Sequence, residues 1–89
     1  MAFKGMDVDE ARTGVSNLKK GVESLRQAKS QLNGHTNHVH GIWKGQDSDK
    51  FKGDWDGTHA PKIDTIIGAL EQFIGELEKQ IREQESASA

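Results

Sequence analysis

Apolar residues recur every three or four positions along most of this chain, and Gly41, Trp43 and Gly45 interrupt the recurrence almost at its midpoint. Such a period marks a helix with one apolar stripe. Two striped arms joined at one break leave few folds open, and the simplest is an all-α, antiparallel helix–turn–helix hairpin. In the first arm Val8, Ala11, Val15, Leu18, Val22, Leu25, Leu32 and Val39 keep the spacing. A helix over about 7–41 would be roughly 50 Å long at 1.5 Å per residue. A rod of that length cannot cover its own stripe.

Local signals define the arm further. Asp7 followed by Glu10 resembles a capping box, in which the aspartate accepts from free backbone amides. Gly14, Gly21 and Ala28 form a seven-spaced column beside the stripe. Glycine costs a helix interior about 1 kcal/mol against alanine, so the column reads either as a close approach by a neighbouring helix or as local drift. Beyond Leu32 the stripe weakens, with Lys29 and Thr36 in columns that earlier hold valines, and Asn33-Gly34 is a turn signal. A bend or fraying is expected there.

The second arm carries Phe51 and Trp55, then Ile63, Ile66, Ile67, Leu70, Phe73, Ile74, Leu77 and Ile81. A face this broad can touch both a hairpin mate and another subunit. Gly57 and Pro61 predict a kink or break near 57–61 in a helix spanning about 47–83. The steps Phe51, Trp55, Thr58, Lys62 favour one kinked helix, with Asp47 or Ser48 as its cap. Residues 84–89 read as a flexible tail. The expected dimer and hairpin seam comprises Val15, Leu18, Val22, Leu25 and Leu32 of the first arm and Ile63, Ile66, Leu70, Phe73 and Leu77 of the second.

Size and charge narrow the functions. A chain of 89 residues, 33% apolar and without cysteine, buries only a small core and has no disulfide to reinforce it. A partner is therefore the expected source of further stability. Twelve basic residues against fourteen acidic ones form no basic block, which argues against nucleic acid. No apolar run approaches a membrane span, and no signal-peptide pattern opens the sequence, so stable membrane insertion is not expected. Cytoplasmic residence or export by a route that reads the folded protein remains.

The break itself is the candidate site. Gly41 and Gly45 permit a tight reversal, and the Trp43 indole either plugs the end of the hairpin or serves recognition. Trp43-Lys44-Gly45 at mid-chain, a length near 100, heptads on both sides, Phe51 eight residues past the tryptophan and Trp55 soon after resemble the WXG100 superfamily, the small ESAT-6-like proteins of type VII secretion. The resemblance spans nearly the whole chain. It implies a hairpin that pairs antiparallel with a second hairpin into a four-helix bundle and passes folded through a secretion machine driven by an ATPase. It also implies a composite export signal, in which a Trp-x-Gly turn meets a Tyr-x-x-x-Asp/Glu motif on the partner's tail. Trp43 and Gly45 match the first half, with Phe51 and Trp55 fixing the turn end.

The second half is missing, because the sequence has no tyrosine. Ile74-x-x-x-Glu78 and Ile81-x-x-x-Glu85 keep an apolar-to-acidic spacing, and Ile81 with Glu85 is the better placed substitute as a degenerate export tail. The gap favours a heterodimer with another WXG100-like protein, a homodimer being the alternative. The implied localisation is secretion without a signal peptide, from a cytoplasmic pool.

Other clusters carry less. His35, His38 and His40 lie just before the turn but lack a recognisable further ligand set, so they read as solvated and no metal is expected. Asp47, Asp49, Asp54 and Asp56 invite a calcium reading, but the sixth and twelfth loop positions hold Lys52 and Thr58 where glycine and glutamate are needed. With no thiol nucleophile and no phosphate loop, neither an enzyme nor a cofactor is expected.

Overall fold

The computed structural model describes residues 5–88, and within them the chain is helical almost throughout. Helix α1 spans Val8–Ile42, α2 spans Gln46–Asp54, and α3 spans Ala60–Ser88. A five-residue π-helical turn, Trp55–His59, joins α2 to α3. The chain reverses once, between α1 and α2, so α3 returns antiparallel along α1. The molecule measures 64 × 17 × 15 Å, with a radius of gyration of 19.7 Å. A compact domain of this length would have a radius near 12 Å, so this is a rod two helices wide.

Helix α1 starts where Asp7 caps it, its carboxylate accepting from the Glu10 amide at 3.0 Å. It runs unbroken through Asn33-Gly34, contrary to the expected bend. The reason is visible in the packing, since Asn33 is occupied by α2's continuation. The Trp55 indole N–H donates to Asn33 Oδ1 at 2.8 Å, and the Thr36 hydroxyl donates to the Asn33 carbonyl at 3.1 Å. Lys29 fills its valine column by laying its stem along the seam and donating to Asp64 at 2.7 Å, as long cationic side chains do.

The core is one residue deep. Val15 and Val22 of α1 meet Ile67, Ile74 and Ile81 of α3, flanked by Leu18, Leu25, Ile63, Leu70 and Leu77. Each fully buried aliphatic side chain contributes about 1.5–3 kcal/mol, and five such residues make a modest sum against the ordering of so long a rod. Ile66, Phe73 and Leu32, which belong to the expected dimer and hairpin seam, lie outside the contact between α1 and α3, exposed at 52%, 58% and 43%. They sit on the shoulder of the helix pair, where a single facing helix cannot reach.

The expected kink has a specific form. The Ala60 amide donates to the Trp55 carbonyl, one residue farther than in an α-helix. Pro61 has no amide to give to Gly57, and its ring would crowd that carbonyl, so the wider turn relieves both. The inward stripe therefore runs Ser48, Lys52, Trp55 and then Ala60, in place of the three- and four-residue steps through Thr58 and Lys62. Helix α3 continues through Glu83 to Ser88, where a flexible tail was expected, because Ile81 is buried and Glu85 is paired with Arg12. Ala89, the last residue of that expected tail, lies outside the described residues.

Candidate functional site: the turn end and the open apolar edge

The turn is built around one glycine. Gly45 has φ 135° and ψ 173°, a backbone region open essentially to glycine alone. Space does not explain the residue, since a Cβ there would meet nothing within 4 Å. Conformation does. Gly45 also occupies the cap position of α2, where no side chain caps, and the Asp49 amide donates back to its carbonyl at 3.2 Å. Neither Asp47 nor Ser48 is the cap. Ser48 is 1% exposed, and its hydroxyl has no hydrogen-bond partner among the described residues. A small side chain there lets α2 lie close on α1.

Trp43 ends α1, its amide donating to the Val39 carbonyl at 2.9 Å, and its backbone is already extended. The side chain is 45% exposed, and Ile42 before it is 71% exposed. Trp43 is therefore no buried plug. The indole that anchors this end is Trp55, half-buried and bonded to Asn33. Phe51 is exposed at 47% on α2, so the tip of the rod presents apolar and aromatic groups to solvent. Across the turn, His40 Nε2 lies 2.9 Å from Asp49 Oδ1, tying the last turn of α1 to the first of α2. His35 and His38 are exposed, and no metal-binding group of three or more ligands occurs among the described residues.

Along the shaft the two edges of the helix pair differ. One edge carries interhelical ion pairs: Arg12 with Glu85, Lys19 with Glu78 at 3.0 Å, Arg26 with Glu71, and Lys29 with Asp64 at 2.7 Å. The first three step by seven residues on both helices, which fixes the register between α1 and α3. The seam's open grooves also run along this edge, lined by Arg12, Lys19, Glu78 and Glu85.

The other edge is apolar and uncovered. Leu18, Leu25 and Leu32 on α1 and Ile63, Leu70 and Leu77 on α3 are only partly buried or exposed, with Ile66 and Phe73 standing outside them. Gly14 and Gly21 border the same edge, and nothing in the hairpin lies within 4 Å of where their Cβ atoms would be. No close approach among the described residues accounts for them. No helix among the described residues is long and apolar enough to cross a membrane.

Ile81 and Glu85, the substitute export tail, are both engaged in the shaft, as a buried core residue and as the partner of Arg12. Three features escaped sequence reasoning: the Trp55–Asn33 bond, the ion ladder and the buried Ser48. Of these, the seven-spaced charges at Arg12, Lys19 and Arg26, facing Glu71, Glu78 and Glu85, were the findable signal. Comparisons with family models, with curated proteins and with solved structures returned no match to this chain.

Proposed function

We propose that this chain is a non-enzymatic, dimerising hairpin of the WXG100 kind, exported folded by a type VII secretion system as an effector or co-secreted partner. Its partners in this reading are another WXG100-like hairpin, at the open apolar edge, and the secretion ATPase, at the turn. In this reading the protein is made in the cytoplasm and leaves it already folded. The observation that carries the reading is the tip: a half-exposed Trp43 beside Gly45, whose backbone conformation no other residue type adopts readily. An indole left in solvent at a fixed reversal is an expensive arrangement for a purely structural cap, and a reasonable one for a docking element.

Export and pairing separate in one experiment. Trp43→Ala is expected to reduce secretion at least tenfold, while helicity by circular dichroism and dimer mass stay unchanged. Loss of helicity and dimer together would return the tryptophan to a structural role. Unchanged secretion in a folded variant would leave a helical interaction module with no export role.

A further inference from the structure

Asn33-Gly34 carries a turn signal but sits inside an unbroken α1, where both residues disfavour the helix. Packing does not explain the absence of a side chain at Gly34, since a Cβ there would meet nothing within 4 Å. Nor does conformation, because among the described residues only Gly45 has a positive φ. We propose that Asn33-Gly34 is a latent modification site, held unreactive by the closed hairpin and deamidating when the turn end of α1 opens. This stands independently of the export reading.

The chemistry needs only water. The Gly34 amide nitrogen gives up its proton to solvent and attacks Asn33 Cγ. The N–Cγ bond forms, the Cγ–Nδ2 bond breaks, and ammonia departs, leaving a cyclic imide in the backbone. Water then reopens the ring. Cleavage of the new N–Cγ bond gives an ordinary aspartyl residue. Cleavage of the original peptide bond gives an isoaspartyl residue, whose backbone runs through Cγ. Glycine is the favourable following residue, because no Cβ hinders the attacking nitrogen. Asn17 precedes Leu18 and Asn37 precedes His38, so Asn33 alone among the asparagines has this neighbour.

The closed hairpin opposes the attack at both reacting groups. Within α1 the Gly34 amide points along the axis to the carbonyl four residues back. Its nitrogen cannot turn toward Asn33 Cγ until that turn of helix unwinds. The Asn33 side chain is held from across the hairpin, where the Trp55 indole N–H donates to Oδ1 at 2.8 Å. The Thr36 hydroxyl secures the Asn33 carbonyl at 3.1 Å.

The surrounding segment is nevertheless the thinly held part of α1. No buried core residue of α1 lies beyond Val22, and Leu32 and Val39 are exposed at 43% and 41%. Few buried apolar contacts mean that local opening occurs here ahead of the core. The product makes that opening irreversible. An isoaspartyl linkage lengthens the backbone by one carbon, so the regular hydrogen bonds of α1 cannot close across it. A hairpin that has stayed open at its turn end therefore carries a permanent mark, and one that has stayed closed does not.

The test incubates the purified full chain at mildly alkaline pH and follows the tryptic peptide 30–44 by mass. That peptide also contains Asn37 as an internal control. Asn33 is expected to react at least tenfold more slowly in native buffer than in urea, because the rate follows the open population. In urea it should outpace Asn37, and Gly34→Ala should remove that advantage. Trp55→Phe, with helicity checked by circular dichroism, is expected to speed the native reaction about 2- to 10-fold and leave the urea rate unchanged. Equal rates in buffer and urea would overturn the protection by the fold. A native rate unmoved by Trp55→Phe in a helical chain would overturn the part given to the closed turn end. Reaction in urea no faster at Asn33 than at Asn37 would remove the site.

Discussion

The two edges of the helix pair use opposite means with opposite completeness. On the ladder edge, each cation of α1 meets an anion of α3, and nothing further is required of another molecule. On the apolar edge, leucines stop at partial burial and Ile66 and Phe73 stand in solvent. The difference teaches which interaction does which work. Exposed ion pairs are worth about 0.2–1 kcal/mol each, enough to choose a register but too little to hold a rod together. Apolar burial supplies the larger energy, and in the single chain the side chains of one edge supply only part of theirs.

Substitution on each edge and between them measures that division. The largest effect is expected from Ile74→Ala, since Ile74 lies between the edges at 5% exposure. It should cost about 2–5 kcal/mol in urea unfolding; a loss under about 1 kcal/mol would mean that the seam contributes little. Trp55→Phe removes the donor to Asn33, and about 0.5–1.5 kcal/mol is expected for losing that part-buried hydrogen bond. Leu25→Ala sharpens the contrast. Its effect on thermal unfolding should grow with protein concentration if the apolar edge is covered by association, and stay flat if the edge remains bare.

Smaller effects belong to the charged groups. Arg26→Gln is expected to cost under about 1 kcal/mol, and the difference should shrink in 1 M salt, where charges are screened beyond about 3 Å. Least of all is expected from Asp54→Asn. A hydrogen bond and the charge of Lys50 hold Asp54 below its ordinary value of 3.8. A carboxyl depressed in the folded state stabilises above its unfolded pKa and loses that contribution as pH falls through the folded value. Lys50 is exposed and Asp54 half-exposed, so solvent screens the pair, and melting curves of variant and parent should nearly coincide at neutral pH and merge in acid.

The sequence made the two arms, the reversal and the Asp7 cap readable because each rests on local spacing or on one residue type. The α3 stripe was readable for the same reason. What escaped depended on contacts between segments. Asn33-Gly34 carries a turn signal, yet Trp55, from the far side of the hairpin, gives Asn33 a hydrogen bond and keeps α1 straight. The stripe across Gly57 could be drawn through Thr58 or through Ala60, and only Pro61's conflict with Gly57 decides between them. Ile66 and Phe73 fit the seam by period, but one facing helix is too narrow to cover them. At the site, Gly45 was readable as a reversal point, whereas the exposure of Trp43 was not, because Trp43 and Trp55 are equally good candidates for the anchoring indole.

The π turn sets the phase between the two ends of the molecule. One extra residue in a helix advances every later side chain by about 100°, so Trp55–His59 decides how the aromatic tip is rotated relative to the shaft's uncovered edge. Without it, an α3 seated on Val15 and Val22 would turn Ser48 and Trp55 away from α1, and tryptophan fluorescence of a Gly57 deletion would report the released indole. The tip's bearing is therefore a property of a single inserted position, adjustable in steps of a quarter-turn or so while the shaft is left alone.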